Sequence, residues 1–201
     1  MPFPINETTR DAIKHHFKRK KLVWNETYFV DVLQSSEKKH DIYWAVLALR
    51  DCGTAYCIPM LKEKLQYPMQ DVKCCAMLTI AHIAGATETP TYAHAIVDPE
   101  YRNKGYAMWT ICDAADSRAV DAVLAYFKKN RSKIKNGNLL NAALVDGLDY
   151  LEKYRNENVK IQEFFCDVDS FWDNLPEGNR REISNRVPFF SAYLAVVQDS
   201  N

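Results

Sequence analysis

Three stretches, Ala45-Val46-Leu47-Ala48-Leu49, Ala76-Met77-Leu78-Thr79-Ile80 and Ala107-Met108-Trp109-Thr110-Ile111, recur at a step of 31 residues. Each opens on alanine and closes, four positions later, on a large aliphatic side chain. On a helix these two positions share a face. The small residue lets a neighbouring helix approach and the large one fills the gap beside it. A second series agrees at 62 residues, twice the step: Ile58 with Val120, Leu61 with Val123, and Leu65 with Phe127. A fixed step of about 20–50 residues marks units that shelter their apolar faces only by stacking on one another.

Outward from these stretches, apolar residues recur at three- and four-residue spacing, and alternating strand patterns are scarce, so the chain is expected to be all-α. Helix breaks are expected at Asp51-Cys52-Gly53, Tyr67-Pro68, Gly85, Asp98-Pro99, Asn136-Gly137 and Pro176-Glu177-Gly178. The repeat signal is strongest over 41–151. It extends less clearly toward Asn25 and Ala142, and Leu139-Leu140-Asn141-Ala142-Ala143-Leu144 keeps only the apolar spacing. Residues 1–40 and 152–201 are expected to be terminal caps of one domain spanning 1–201. Thr8 or Thr9 is expected to start the first helix, carrying Ile13, His16 and Phe17, and a second runs from Asn25 through Leu33. Near the other end Ile161, Phe164, Phe165, Val168, Phe171 and Trp172 mark an amphipathic helix, and Pro188 starts a last one through Val197.

The pattern resembles the HEAT-repeat family. The resembling residues are Ala45, Ala48, Leu49 and Gly53, then Ile58-Pro59, Leu61 and Leu65, then Val72-Lys73, Ala76, Ile80 and Gly85, then Ala107, Ile111, Asp116 and Val120. They cover about half the chain. In the third unit Asp121 stands at the Pro59 position. The resemblance implies a superhelix of stacked antiparallel helical hairpins, with the second helix of each hairpin lining a concave groove. It carries no catalytic residue.

The 201 residues hold 26 basic and 26 acidic side chains, so a general drive toward nucleic acid is absent and nucleic acid is not the expected partner. No apolar run approaches the roughly 20 residues that span a bilayer. The opening Met1-Pro2-Phe3-Pro4-Ile5 lacks a secretory pattern, and a cytoplasmic protein is expected. Cys52, Cys57, Cys74, Cys75, Cys112 and Cys166 lack paired C-x-x-C spacing and read as reduced core thiols. Nucleophile-elbow and phosphate-loop motifs are missing. No catalytic residue, metal or cofactor is expected.

On the expected groove face the period lines up Leu47, Leu78, Trp109 and Leu140, then Val46, Met77, Met108 and Leu139, then Asp51, His82 and Asp113. A catalytic or metal role for the last row is disfavoured, because packed helices lie about 8–10 Å apart and zinc bonds span about 2 Å. Trp109 is read first as packing and second as a partner anchor sharing a helix face with Asp113. The row of Val46, Met77 and Met108 is read as mostly core. The candidate partner-binding residues are Tyr43, Asp51, His82, Trp109, Asp113, Asp146 and Asp149. The basic run Lys14-His15-His16-Phe17-Lys18-Arg19-Lys20-Lys21 and the set Arg180, Arg181 and Arg186 are read as solvated charge.

A long surface without reactive chemistry points to a protein-binding module. In size and style the chain resembles bacterial immunity proteins, which implies occlusion of a cognate toxin domain, such as a nuclease. Asp113, Asp146, Asp149 and Glu152 would then meet its basic cleft. The alternative resemblance is to DNA alkylation-repair glycosylases, with Trp109 and Asp113 at the damaged base and Lys73, Arg102 and Lys104 on phosphates. A scaffold or chaperone role is a third expectation.

Overall fold

The computed structural model describes residues 4–18, 21–137 and 140–190, and every regular element among them is helical. Helix α1 (Glu7–Phe17) starts at Asn6, whose side chain accepts from the Thr9 amide at 2.8 Å. The expected starts at Thr8 or Thr9 lie inside it, because the Asn6 side chain already satisfies an otherwise unpaired first-turn N–H. Asn25 caps α2 (Glu26–Ser35) in the same way, as its sequence suggested.

The hairpin region contains α3 (Lys39–Cys52), α4 (Ile58–Lys64), α5 (Gln70–Ala84), α6 (Thr89–Val97), α7 (Lys104–Ala114) and α8 (Val120–Lys129). Helices α4, α6 and α8 begin at 58, 89 and 120, each 31 residues after the last. A single 3-10 turn precedes each, at Ala55–Cys57, Gly85–Glu88 and Ser117–Ala119. Thr54 and Asp116 cap the first and third turns with their side chains. Gly85 opens the middle one at φ 51°, a left-handed geometry that glycine adopts without a Cβ penalty. Pro59 and Pro90 both stand in first turns, where a missing N–H costs nothing.

The structure also supplies the middle member of the 62-residue series: Thr89, Tyr92 and Ile96 are buried between its two halves. Their burial was hidden because a threonine and a tyrosine replace aliphatic residues. The Tyr92 hydroxyl donates to Gly85 O at 2.9 Å, and Thr89 Oγ1 donates to Ala86 O while accepting from the Asp116 amide. With their polar tips bonded, both fit a core position.

Ala45, Ala76, Ala107, Leu49, Ile80 and Ile111 are all 0% exposed. Helix α3 packs on α5, α5 on α7, and α7 on α10 (Ala142–Lys153). The hairpin partners α2, α4 and α6 pack on α3, α5 and α7, and α2 touches α4 as α6 touches α8. Helix α10 leaves the 31-residue step. Ala142 is exposed and burial passes to Ala143, Leu144, Gly147, Leu148 and Leu151. The short α9 (Arg131–Asn136) intervenes and shifts the register. Gly147 sits where a Cβ would lie 2.6 Å from the Phe127 ring and 3.0 Å from the Met108 methyl.

Helix α11 (Val159–Asp169) ends before Phe171 and Trp172, which were expected within it. Both are nonetheless buried, and Trp172 stacks on Phe190 at 4.6 Å between ring centres. The expected helix from Pro188 is described only as the 3-10 turn Pro188–Phe190, and its remainder through Val197 lies outside the described residues. So do Leu139, Arg19 and Lys20. Helix α12 (Glu177–Arg186) carries a fully buried Asn179, whose Nδ2 donates to Ile134 O at 2.7 Å and Gly137 O at 2.8 Å. This side chain satisfies carbonyls at the end of α9 that the helix leaves unpaired. Asn179→Ala is expected to cost about 1–3 kcal/mol. In thermal unfolding the midpoint should fall by at least about 2 °C, and an unchanged midpoint would refute the clamp.

All six cysteines are free thiols. Burial pushes Cys52, Cys57 and Cys112 up to about 12. Cys166, expected in the core, is instead exposed, because it lies off the face of α11 that buries Ile161, Phe165 and Val168. A thiol reagent at mildly alkaline pH should therefore label Cys166 first, as a single fast equivalent, with the buried thiols reacting only on unfolding. Peptide mapping checks the order. No helix among the described residues is long and apolar enough to cross a membrane.

Candidate functional site

Residues spaced by three or four share one face of a helix, and on α7 this brings Tyr106, Trp109 and Asp113 together. The Tyr106 and Trp109 ring centres are 5.9 Å apart, and the side chains are 37% and 43% exposed. Trp109 was read first as packing. Its exposure follows from the turn of α7, which buries Ala107, Met108 and Ile111 and leaves position 109 outward. Asp113 lies one turn further on and is exposed.

Helix α10 packs on α7 and brings Asp146 and Asp149 toward Cys112 and Asp113. The Cys112 thiol donates to Asp146 O at 3.2 Å. Its proton is held first by burial and then by the negative charge of Asp146, Asp149 and Asp113. Burial, then Asp149 and Asp113, likewise raises the Asp146 carboxyl above the usual range, with Arg186 opposing. Asp149 is ion-paired to Arg186, which also reaches Glu182 at 3.4 Å. Three carboxylates thus share one region of α7 and α10.

Of the row Asp51, His82, Asp113, the first is taken up by other side chains. Asp51 accepts from Arg10 Nη2 at 2.6 Å and from Trp24 Nε1 at 2.9 Å, so it fastens α1 to the end of α3. His82 is half-buried on α5. No three His, Cys, Asp or Glu side chains among the described residues are grouped to hold a metal ion. Of the apolar rows, Leu47 and Leu78 are buried and Val46, Met77 and Met108 are 0% exposed, while Leu140 is half-buried.

Tyr43 is half-buried on α3, and burial, then the Cys75 side chain, raises its pKa. Two turns on along the same helix lies Arg50, which sequence reasoning passed over. It is only 9% exposed. Its Nε donates to Thr79 Oγ1 at 3.3 Å and its Nη2 to Cys75 O at 3.2 Å. Thr79 Oγ1 in turn donates to Val46 O at 3.1 Å. The seven-residue spacing from Tyr43 was the available signal, masked by the arginine's place beside Asp51.

The basic residues divide differently. Lys73 and Arg102 line an open cleft of about 610 Å³ with Gln70, Glu100 and Asn103. Lys104 is spent elsewhere, since its Nζ donates to Ala95 O at 2.8 Å and to Asp98 O, at the end of α6. This satisfies helix-end carbonyls and places a cation at the negative end of the dipole. In the N-terminal basic run Phe17 is fully buried, Lys14 reaches Asp11 at 3.5 Å, and His16 Nε2 lies 2.7 Å from Asp41 Oδ1. Ser36 Oγ donates to the other oxygen of Asp41 at 3.0 Å. Here the aspartate stands between serine and histidine, whereas a nucleophilic triad needs the histidine on the serine.

Comparison with known proteins finds no matching family model, no matching curated protein and no matching solved structure.

Proposed function

We propose that the chain is a protein-binding module, a HEAT-like superhelix whose α3, α5, α7 and α10 layer docks a protein with a cationic surface. The observation that carries this is the exposed Tyr106–Trp109 pair on the helix face that also holds Asp113, whose charge acts on Asp146 of the packed α10. Aromatic side chains supply contact area and anchor affinity. Carboxylates around them steer an oppositely charged partner and fix its register. The succession of packed helices and the 31-residue spacing of α4, α6 and α8 support the superhelix.

The partner that fits best is a toxin domain whose substrate cleft is basic, as a nuclease's must be to hold phosphates. Covering that cleft would neutralise it. Tyr43 and His82 belong to the same docking layer, while Asp51 is committed to Arg10 and Trp24. The test is co-elution and calorimetry with the product of the adjacent gene. A complex at micromolar protein, weakening as salt rises, is expected. No complex at that concentration would overturn the reading. The glycosylase-like alternative predicts strong salt-dependent duplex binding; net charge of +0 and the engaged Lys104 weigh against it.

A further inference from the structure

Three contacts join α11 to α8 and the start of α9, in step along the chain. Lys160 Nζ reaches Asp121 Oδ1 at 2.7 Å, the Phe164 and Phe127 ring centres are 5.2 Å apart, and Asp167 accepts from Arg131 Nε at 2.9 Å and Nη2 at 2.7 Å. The two walls therefore run in the same direction, tied by an ion pair at each end. Between the ties opens a cleft of about 420 Å³, within the range of roughly 300–1,000 Å³ usual for small-molecule sites. Buried Phe127, Ile134, Val168 and Phe171 line it, with half-buried Leu124 and Phe164. Charge is spread unevenly along its rim. Lys128, Arg131 and Lys135 follow one another at three- and four-residue spacing from the end of α8 into α9 and so share a side. Arg131 Cζ and Lys135 Nζ both lie over the Phe171 ring, 4.8 and 4.5 Å from its centre. Against these three cations stands Asp167, ion-paired to Arg131. No carboxylate among the described residues is ion-paired to Lys128 or Lys135. Glu163 also lines the cleft, but the order of the three contacts places it nearer the Lys160 end.

We propose that this cleft binds a free single-chain carboxylate, its hydrocarbon along Leu124, Phe127 and Phe164 and its head at Lys128, Arg131 and Lys135. An apolar lining supplies affinity, and a few placed charges fix orientation. Cations held close together repel one another, and an anion set among them reverses that cost. The open rim lets the head keep part of its water, while the phenylalanines take the chain out of it. The two ties start about 15 Å apart along the backbone, by the rise of a helix over ten residues, which suits a chain of medium length. The cleft lies outside the α3, α5, α7 and α10 layer and does not rest on the docking proposed for it.

The experiment is a methyl-detected NMR titration of the whole chain with sodium octanoate. Sodium acetate, the head without the chain, and octylammonium chloride, the chain with the opposite charge, are the comparison arms at equal ionic strength. Octanoate should move the Leu124, Ile134 and Val168 methyl signals saturably, acetate should leave them in place, and octylammonium should bind more weakly than octanoate. Lys128→Glu alters an exposed side chain, so the fold should persist, and it should raise the octanoate Kd by about five- to tenfold. Glu163→Gln, at the other end, should change it less than twofold. Absence of a saturable octanoate response at these three methyls overturns the cleft as the site. Octylammonium binding as tightly as octanoate overturns the carboxylate assignment, with no variant needed. An unchanged octanoate Kd in folded Lys128→Glu overturns the position of the head.

Discussion

Gly147→Val is expected to destabilise the protein by about 2–3 kcal/mol, the upper part of the usual range for overpacking a filled core. Even a single Cβ at this position would lie 2.6 Å from the Phe127 ring and 3.0 Å from the Met108 methyl. Phe127 is 1% exposed and Met108 0%, so neither has free space to enter. Helix α10 must therefore move away from α7 and α8, giving up contacts across the end of the ladder. Urea unfolding should show a lower midpoint with an unchanged slope. A compensating Phe127→Leu should recover part of the loss, giving a coupling energy in the double-mutant cycle. Equal midpoints for Gly147→Val and wild type would mean that the close approach of α10 does not exist in solution.

Trp109→Ala is expected to weaken the complex with the cationic partner by about 2–4 kcal/mol, roughly 30- to 1000-fold in Kd, as truncated aromatic anchors commonly do. Most of this should appear as faster dissociation. Because Trp109 is 43% exposed, its removal should change the stability of the unbound chain little, within about 0.5 kcal/mol. Asp113→Lys should act on a different quantity, slowing association and flattening its salt dependence, since an exposed carboxylate steers encounter more than it holds the complex. Surface-plasmon kinetics at two ionic strengths separates the two effects. Retention of full affinity by Trp109→Ala would remove the aromatic pair from the interface.

The helical class, the break positions and the 31-residue step were legible because each depends on neighbours within one helix or one hairpin. Apolar residues three and four apart must share a face, and a face that is apolar must be covered. The alanines and aliphatics of the three opening stretches obey this, and all are buried. Thr89 and Tyr92 escaped notice for the converse reason. Their cores are apolar enough to bury, but what permits it is a bond for each hydroxyl, to Ala86 O and Gly85 O. Composition does not announce such bonds.

Within the candidate site, Trp109 and Asp113 were visible as helix-face neighbours, and Asp146 and Asp149 as acidic residues on a later helix. Their meeting depended on α10, whose register slips from the period once α9 intervenes. The fates of Asp51, Arg50 and Lys104 were illegible in a different way. Asp51 meets an arginine 41 residues before it, and Arg50 meets a threonine 29 residues after it. Lys104 folds back on the carbonyls that end α6.

Local spacing thus established what kind of chain this is, where its helices stop and which alanine and aliphatic positions enter the core, since burial follows from the 3.6-residue turn. The partners of each charge were settled only when the helices had packed. A side-chain bond needs its atoms within about 3 Å, and that distance is set by the rotation and offset of elements far apart in the chain. For the same reason an arginine that looks like ordinary surface charge becomes a buried cation, and a tryptophan amid core residues becomes the exposed one.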